Sequence, residues 1–456
     1  MTACETSNPI LASWSSVLER RGDGPAVLSA DGAVVRTFAR IEAEARGMEA
    51  ALERLQPGSA VGVQFGNDAR LPALLLALWR CGLVPLPLDL SLGKDAVATA
   101  LDLCGAAAIV RPNLRQGIAV ERRGDARGMD ADFLKLTSGT SAAPRAIRFR
   151  AAQLLADCDA VCDTMGIGAD DVNFGVIPWS HSYGFSSLVT PLLCRGVPVV
   201  ASEERLPRAL FDGLVRSGAT VFPGLPVLFQ KLAELDSARP PKLRLCISAG
   251  APLSAAAAAA FRTRFGVKIH SFYGSSECGG IAYDASEADV SEGCVGEPMR
   301  GVRLVYHEET GRIEVHGTAV GEGYFPEADE SVLGSGRFVP GDLVQRKPDG
   351  LVLSGRVSDF INVAGRKLNP AEIETRLREV AGVRDVMVFG VASALRGEEP
   401  VACVVGSASV AELRQFCAAN LAAWQAPRDF WIVDALPFSE RGKLSRRALA
   451  EAYLSR

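Results

Sequence analysis

Short apolar runs alternate with segments of helical spacing along the first part of the chain. One such segment carries leucines at positions 71, 74, 75 and 78, which places them on one face of a helix. Strands that alternate with helices indicate an α/β architecture with mainly parallel sheets. The runs that predict strands are rich in Val or Leu and cover residues 60–65, 172–177, 197–201 and 243–248.

The pattern changes after Gly293. Polar and apolar residues alternate and glycine is frequent as far as Gly350. Alternation of this kind is typical of antiparallel strands joined by hairpins. We therefore expect a β-rich subdomain in this region.

From Ile361 onward the sequence predicts a small α+β domain of about a hundred residues. Asn369 is suited to cap a helix whose first residue is Pro370, with Glu372 at the third helical position. An apolar face formed by residues 373, 377 and 380 supports this helix. Strands are then predicted over 383–391 and 401–405, and a second helix over 410–423.

Length and composition set the broad class. A chain of 456 residues is too long for one ordinary core and predicts two or three domains. Hydrophobic residues make up 48% and charged residues 22%, as in soluble globular proteins, and a formal charge of -4 argues against a nucleic-acid-binding protein. The longest apolar stretch, 71–79, is too short to span a bilayer. Because the first residues lack a signal-peptide pattern, we expect a cytoplasmic protein without a membrane span.

The eleven cysteines predict reduced thiols. They are scattered along the chain without a CxxC pair, so neither a disulfide framework nor a metal site is indicated. Cys158 and Cys162 are four residues apart beside apolar residues, which predicts that they pack on the buried face of a helix.

Candidate chemistry begins with LKLTSGTSAAPR at 134–145. Its small and hydroxyl-bearing residues offer closely spaced hydrogen-bond donors, two basic residues flank them, and Arg145 adds a fixed positive charge. This predicts a phosphate-binding loop, although composition alone leaves a solvated Ser/Thr turn as the alternative. It is not a Walker loop, since the Lys-Ser/Thr pair is missing. The residues expected to contact phosphate are Thr137, Ser138, Gly139, Thr140 and Ser141.

Four further motifs follow this loop: YGSSE at 273–277, PGDL at 340–343, SGRVSDFINVAGRKLNPAEIE at 354–374 and LPFSERGKLSRRAL at 436–449. In this order, and over nearly the whole chain, the five motifs resemble the adenylate-forming superfamily. Its members include acyl-CoA and aryl-CoA ligases, the adenylation domains of peptide synthetases, and luciferase. The resemblance implies a large N-terminal adenylation domain, 1–357, and a small mobile C-terminal lid domain, 358–456.

The reaction implied by the resemblance joins a carboxylate to the α-phosphate of ATP, releases pyrophosphate, and passes the acyl group to a pantetheine thiol. Like charges oppose the first step, so such a site needs Mg²⁺ and cationic side chains such as Arg145. By resemblance, Glu277 is the magnesium ligand and Ser276 contacts the α-phosphate. Lys443 resembles the lysine that bridges carboxylate and phosphate during adenylation.

Other nucleotide contacts are also implied by resemblance. The loop after residue 248 walls the base and the acyl pocket, a tyrosine offers adenine a flat face, and an Asp and an Arg lie at the ribose. Without the resemblance, that Asp is an ordinary turn residue and that Arg an ordinary surface charge. The residues concerned are Gly250, Ala251, Pro252, Tyr273, Gly274, Asp342 and Arg356.

His181, in PWSHSYG, matches the histidine that many acyl-CoA and aryl-CoA ligases place beside the carboxylate, and a hydrogen-bonded core histidine is the alternative. Peptide-synthetase domains carry an aspartate here to hold the substrate amine. This chain has no carboxylate from 178 to 189, so a free α-amino acid is disfavoured. The predicted acid pocket is mostly apolar and comprises Trp179, His181, Phe185, Pro223, Leu225, Gly250, Gly279 and Ile281.

Some positions depart from the family pattern. Relatives usually have Gly where this chain has Ala142 and Ala146, and Lys in place of Arg145, which predicts a stiffer phosphate loop. Ser358 occupies the position of the hinge about which family members rotate the small domain. Gly365 matches the glycine that lets pantetheine approach the site.

These features predict an ATP-dependent acid-thiol ligase for an aryl or a short to medium apolar acid, with ATP, Mg²⁺ and CoA as cofactors. Since CoA and a carrier-protein phosphopantetheine arm end in the same group, loading of an acyl or peptidyl carrier protein is the alternative. A nucleotide-binding scaffold without chemistry is disfavoured by the complete set of catalytic residues. The protein is expected to be a monomer or a homodimer, with no nucleic-acid partner.

Overall fold

The structure, a computed structural model, describes residues 8–113, 117–124, 127–137, 145–393, 397–436 and 445–456. Its strands in chain order are β1 (Pro25–Leu28), β2 (Val34–Thr37), β3 (Ala60–Val63), β4 (Val84–Pro87), β5 (Ala108–Asn113), β6 (Gly117–Arg122), β7 (Phe133–Leu136), β8 (Ala146–Phe149), β9 (Asn173–Gly175), β10 (Val199–Ala201), β11 (Val221–Gly224), β12 (Leu245–Ser248), β13 (Ile269–Ser275), β14 (Gly279–Tyr283), β15 (Cys294–Pro298), β16 (Arg303–His307), β17 (Arg312–His316), β18 (Gly323–Phe325), β19 (Leu333–Gly334), β20 (Arg337–Phe338), β21 (Asp342–Lys347), β22 (Gly350–Arg356), β23 (Ile361–Val363), β24 (Arg366–Leu368), β25 (Val383–Ser393), β26 (Gly397–Gly406) and β27 (Asp429–Val433).

The helices in chain order are α1 (Pro9–Arg21), α2 (Phe38–Leu52), α3 (Leu71–Arg80), α4 (Lys94–Leu103), α5 (Ala151–Met165), α6 (Ser182–Gly184), α7 (Pro207–Ser217), α8 (Pro226–Ala233), α9 (Ala255–Phe265), α10 (Pro370–Leu377), α11 (Val410–Asn420) and α12 (Arg446–Leu454). Two π-helical turns, Phe185–Val189 and Pro191–Arg195, follow α6, and a 3-10 turn covers Val357–Asp359.

The chain divides into two compact units. The first comprises Met1–Val305 and Glu314–Pro340, and the second comprises Tyr306–Ile313 and Gly341–Arg456. This division follows the density of contacts. The boundary at 357 concerns the parts that move during a catalytic cycle, and it stays a prediction.

Parallel strands dominate the first unit. Its largest sheet runs β1, β10, β9, β11, β12 and β13 as parallel neighbours, with β2 antiparallel at one edge and β14 and β15 antiparallel at the other. A second sheet has the order β4, β3, β5, β6, and an antiparallel third sheet has the order β18, β8, β7. The predicted α/β architecture with mainly parallel sheets is confirmed. In such sheets ligands bind beyond the carboxyl ends of the strands.

Helices bury the apolar stripes that the sequence predicts. Every residue of α3 from Leu71 to Trp79 is buried, so this short helix is a core element. Cys158 and Cys162 are 0% and 2% exposed on α5, as their spacing predicts. The cysteines in the described ranges are free thiols.

The second unit has an antiparallel sheet of order β24, β23, β26, β25, with β27 parallel to β26. Asn369 caps α10 as predicted, because its side chain accepts a hydrogen bond from the Ala371 N-H and Pro370 is the first helical residue. A separate hairpin, β21 and β22, precedes this sheet in the chain. None of the helices in the described ranges combines the length and apolarity needed to cross a bilayer.

Candidate active site

The phosphate loop begins and ends on neighbouring strands. β7 and β8 pair as a hairpin, and the N-H of Thr137 donates to the carbonyl of Arg145 over 2.8 Å, so the two ends of the loop are joined. Ala146 lies inside β8 and is buried at negative φ, so alanine imposes no strain there. The predicted phosphate contacts Ser138, Gly139, Thr140 and Ser141 lie outside the described residues, as does Ala142.

One of the two basic residues that flank this loop is buried. Lys135, on β7, is 6% exposed and its Nζ lies 4.5 Å from the ring centroid of Phe149. Burial lowers the pKa of this amine, while the negative charge of Asp157 opposes that shift. Lys135 therefore faces the interior, and Arg145 is the flanking cation that remains partly exposed.

The YGSSE motif forms the turn of the β13–β14 hairpin and holds Glu277 by two hydroxyl groups. Ser275 donates from its Oγ to Oε2 of Glu277, and Tyr324 donates from its hydroxyl to Oε1 over 3.1 Å. Burial has the largest effect on the pKa of the Tyr324 phenol and raises it, and the nearby negative charge of Glu277 raises it further. The phenol therefore keeps its proton and remains the donor. Tyr324 was not predicted as a site residue.

Arg145 packs against the aromatic ring of Tyr324. Its guanidinium carbon is 4.1 Å from the ring centroid of Tyr324, within the range of a cation-π contact. Tyr324 is 4% exposed and belongs to β18, which pairs with β8. The structure thus brings together Arg145 and Glu277, two predicted catalytic residues.

The surroundings of Glu277 fit a magnesium ligand. Two neutral hydroxyls occupy only part of the carboxylate's capacity to accept, so lone pairs remain for a hard cation. Within the described ranges there is no group of three or more His, Cys, Asp or Glu that could hold a metal alone. Mg²⁺ is commonly held by one or two carboxylates together with substrate phosphates and water, which is the role that a single carboxylate can fill.

His181 is held by an aspartate that the sequence did not single out. Its Nε2 lies 2.9 Å from Oδ2 of Asp89, two residues after β4, and Ser91 donates to Oδ1 of the same carboxylate. The hydrogen bond from His181 is the largest of the effects that hold the pKa of Asp89 well below its usual range. Because an ionised carboxylate only accepts, Nε2 is the donor, which in the neutral tautomer of an imidazole makes Nδ1 the acceptor.

A serine pair connects the predicted acid site with the predicted nucleotide site. The residue after His181, Ser182, donates from its Oγ to Oγ of Ser276 over 2.9 Å. The PWSHSYG and YGSSE segments therefore lie side by side in the first unit, at the carboxyl edge of the large sheet.

Five of the predicted pocket residues fall into two sets. Trp179, Phe185 and Ile281 are 1%, 2% and 0% exposed, and Phe185 packs on Phe133 with ring centroids 4.4 Å apart. Their contact with an acid stays a prediction. Leu225 and Gly250, at the ends of β11 and β12, lie together, since a Cβ at Gly250 would be 3.2 Å from Leu225.

Gly279 is required by a close approach. Its φ is +69°, and a Cβ there would collide with the carboxylate of Asp157. That carboxylate, 4% exposed, accepts from the Gly280 N-H over 2.9 Å and from the Ser186 hydroxyl. Asp157 thus anchors the hairpin that carries Glu277.

The other predicted residues belong to the second unit. Asp342 and Arg356 face each other on β21 and β22, with the Arg356 Nε donating to Oδ1 of Asp342 over 2.6 Å. Ser358 is exposed in the 3-10 turn, and Gly365, at φ +81°, has open space where a Cβ would stand. Lys443 lies outside the described residues.

Two family models match the chain. The model of the AMP-binding enzyme matches residues 14–130 and 123–325, and that of the AMP-binding enzyme C-terminal domain matches residues 372–443. The chain belongs to the AMP-binding enzymes. Feruloyl-CoA synthase of Amycolatopsis sp is 27% identical over 96% of this chain and 98% of its own length. Naringenin synthase of Pestalotiopsis fici is 26% identical over 92% of this chain.

The relatives differ in length. The chain spans 18% of the naringenin synthase and between 62% and 67% of CoA ligases from Humulus lupulus, Bacillus subtilis and Arabidopsis thaliana. Among solved structures, ATP-bound MatB from Rhodopseudomonas palustris superimposes with a TM-score of 0.84 at 23% identity, covering 97% of this chain and 98% of that one. The predictions that the chain belongs to the adenylate-forming, AMP-binding family and has its fold are confirmed.

Proposed function

We propose that this AMP-forming acid-thiol ligase activates an aryl or a short to medium apolar carboxylic acid and transfers it to CoA. The observation that supports the proposal is the hydrogen bond between Ser182 and Ser276, since it joins the segment predicted to bind the acid to the segment predicted to bind the nucleotide. Adenylation requires a carboxylate and an α-phosphate within attacking distance, and segments that are hydrogen-bonded to each other are suited to bring the two substrates together.

The reaction has two displacements. A carboxylate oxygen attacks the α-phosphorus and pyrophosphate leaves; the acceptor thiolate then attacks the acyl carbon and AMP leaves. Glu277 would hold Mg²⁺, which when bound neutralises phosphate charge. The side chains of Arg145 and Lys443 would add positive charge near the phosphates. Asp342 would accept hydrogen bonds from the ribose.

The nature of the acid is argued from the residues on the acid side. The described residues from 178 to 189 contain no carboxylate that could hold a substrate amine, and the pocket candidates are mostly apolar. His181 would contribute its ring beside the acid; with Nε2 bonded to Asp89, its Nδ1 can accept from a protonated group of the acid but not from the ionised carboxylate. The name of one relative, feruloyl-CoA synthase, supports an aryl acid as the substrate class.

The acceptor is either CoA or a carrier-protein arm. Gly365 lies in the turn between β23 and β24 with open space beside it, which suits the approach of a pantetheine chain. Both acceptors carry this chain, so the choice between them is made by experiment. A cytoplasmic location and a monomeric or homodimeric state also stay predictions from the sequence.

A panel of carboxylic acids tests the proposal. Pyrophosphate release is measured with ATP and Mg²⁺ for benzoates, cinnamates, short and medium alkanoates and α-amino acids, with CoA and a carrier protein as competing acceptors. We expect release with aryl or apolar acids, none with amino acids, and acyl-CoA as product. If only the carrier protein is acylated, the carrier protein and not CoA is the acceptor. If the Glu277→Gln variant releases pyrophosphate at the rate of the parent, the proposed site is contradicted.

A further inference from the structure

Tyr324 connects two catalytic elements that are far apart in the sequence. Its hydroxyl donates to Oε1 of Glu277 over 3.1 Å, and its ring lies 4.1 Å from the guanidinium carbon of Arg145. We propose that Tyr324 is a positioning residue that fixes the carboxylate of the cation ligand and the cation of the phosphate loop in one arrangement. The inference rests on the proposed function, because it takes Glu277 as the magnesium ligand.

The backbone around Tyr324 is itself anchored to both elements. Tyr324 pairs with Ile147 in the β18–β8 register, two residues after Arg145 at the end of the phosphate loop. The N-H of Gly321 donates to the carbonyl of Glu277 over 2.8 Å, and a Cβ at Gly321 would be 3.2 Å from that carbonyl oxygen. A buried side chain on such a backbone has little freedom to swing away, so its two contacts are maintained together.

The hydroxyl and the ring have separate tasks. The carboxylate of Glu277 accepts one hydroxyl on each oxygen, from Ser275 and Tyr324, and this pair sets the plane of the group. Loss of a hydrogen-bond partner behind a metal ligand typically weakens metal affinity about 10–100-fold. The ring packs against the guanidinium of Arg145, so its loss should weaken the binding of the nucleotide rather than of the cation.

Two substitutions separate these tasks. Tyr324→Phe removes the hydroxyl and keeps the ring, whereas Tyr324→Leu removes both. Tyr453→Phe is the matched control, because Tyr453 also donates to a carboxylate, that of Asp429, but within the second unit. Circular dichroism and thermal melting confirm that each full-length variant is folded.

Binding is measured directly as well as through turnover. Mn²⁺, a hard cation that accepts the same oxygen ligands, is titrated into the protein with ATP and followed by electron paramagnetic resonance. ATP binding without metal is followed by calorimetry in EDTA. We expect Tyr324→Phe to weaken Mn²⁺ binding about 10–100-fold and to leave metal-free ATP binding unchanged. Tyr324→Leu should also weaken metal-free ATP binding, roughly three- to thirtyfold.

Turnover gives a second readout. With Tyr324→Phe the Mg²⁺ concentration for half-maximal rate should rise, while kcat at saturating Mg²⁺ stays near that of the parent. The Tyr453→Phe control should match the parent in every measurement.

Each outcome has one meaning. If Glu277→Gln weakens Mn²⁺ binding but Tyr324→Phe binds Mn²⁺ as the parent does, the inference about Tyr324 is overturned and the proposed function stands. If Glu277→Gln also binds Mn²⁺ as the parent does, the assignment of Glu277 fails. Equal loss of metal-free ATP binding in the Phe and Leu variants would overturn the division between hydroxyl and ring.

Discussion

The Nε2 of His181 donates a hydrogen bond to Oδ2 of Asp89 across 2.9 Å, and this bond sets which imidazole nitrogen carries the donor proton. Because the Ser91 N-H donates to Oδ1 of residue 89, an asparagine there would keep its oxygen towards Ser91, offer its N-H₂ group to Nε2 and so favour the opposite tautomer, with Nδ1 as donor. We expect Asp89→Asn to lower kcat/KM for the acid roughly ten- to hundredfold, with little change in KM for ATP. Initial rates of pyrophosphate release with each substrate varied in turn measure this.

The same pair has a pH signature. The folded-state pKa of Asp89 is depressed, so its contribution to stability is present above the unfolded value near 3.9 and is lost as pH falls through the lower folded value. Asp89→Asn should therefore lose less stability than the parent between about pH 4 and pH 2.

Asp171→Asn is the control for the expected loss of kcat/KM, because Asp171 is paired with Arg244 and is not a site residue. An equal loss of acid kcat/KM in both variants would contradict the role of Asp89.

Lys443→Ala should abolish formation of the acyl-adenylate and leave thioester formation from a supplied acyl-adenylate largely intact. The physical reason is that an ammonium group on a long side chain is needed only where carboxylate and phosphate charges meet. Both half-reactions are measured separately, by pyrophosphate release and by thioester yield. Arg447→Ala, an exposed cation in the same terminal segment, is the control. Equal loss in the two halves would remove Lys443 from this role.

Much of the fold follows from local sequence. Helix α10 begins at Pro370 after Asn369 because the cap and the fixed φ of proline act within one turn. The strands of the large sheet are equally local, since Val-rich runs bounded by turns have few other solutions. Their ends differ from prediction by a few residues, as at β9, where the run 172–177 contributes only Asn173–Gly175.

The site was only partly predictable, because its supporting contacts are made by distant segments. Motif order gave Glu277 and His181, yet nothing local in GEGYF or PLPLDLSL assigns Tyr324 to the first or Asp89 to the second. Those pairings arise from which strands become neighbours. A carboxylate two residues after a buried strand was the one available signal for Asp89, since such positions lie at the ligand-binding edge of a sheet.

Arg446 compensates a buried carboxylate in the second unit. Its Nη1 donates to Oε1 of Glu374 over 2.9 Å, and Glu374 is 6% exposed. Burial raises the pKa of Glu374 while Arg446 opposes the rise, so Arg446→Leu should raise it further. A raised folded-state pKa means that stability falls as pH rises from the unfolded value near 4.3 through the folded value. We expect a loss of about 3–5 kcal/mol at neutral pH and a smaller loss near pH 4.5, measured by urea unfolding.

A second substitution checks the cause of that loss. Glu374→Gln in the Arg446→Leu background removes the uncompensated charge and should recover part of the lost stability at neutral pH. If Arg446→Leu loses the same stability at both pH values, then packing of the arginine side chain, and not the buried charge, explains its effect.

Ser358→Pro should separate the two half-reactions at the predicted hinge. Ser358 lies exposed in the 3-10 turn Val357–Asp359, next to Asp359, whose carboxylate accepts from Arg446. Rotation of a domain about one or two residues requires large φ and ψ changes there, and proline fixes φ near -65°. Provided that this φ suits the adenylating arrangement, pyrophosphate release should stay within about twofold of the parent while thioester formation falls at least tenfold. Ser358→Ala, which keeps backbone freedom, should behave as the parent in both assays. Parental rates of thioester formation in a folded Ser358→Pro variant would place the hinge elsewhere or show that the cycle proceeds without this rotation.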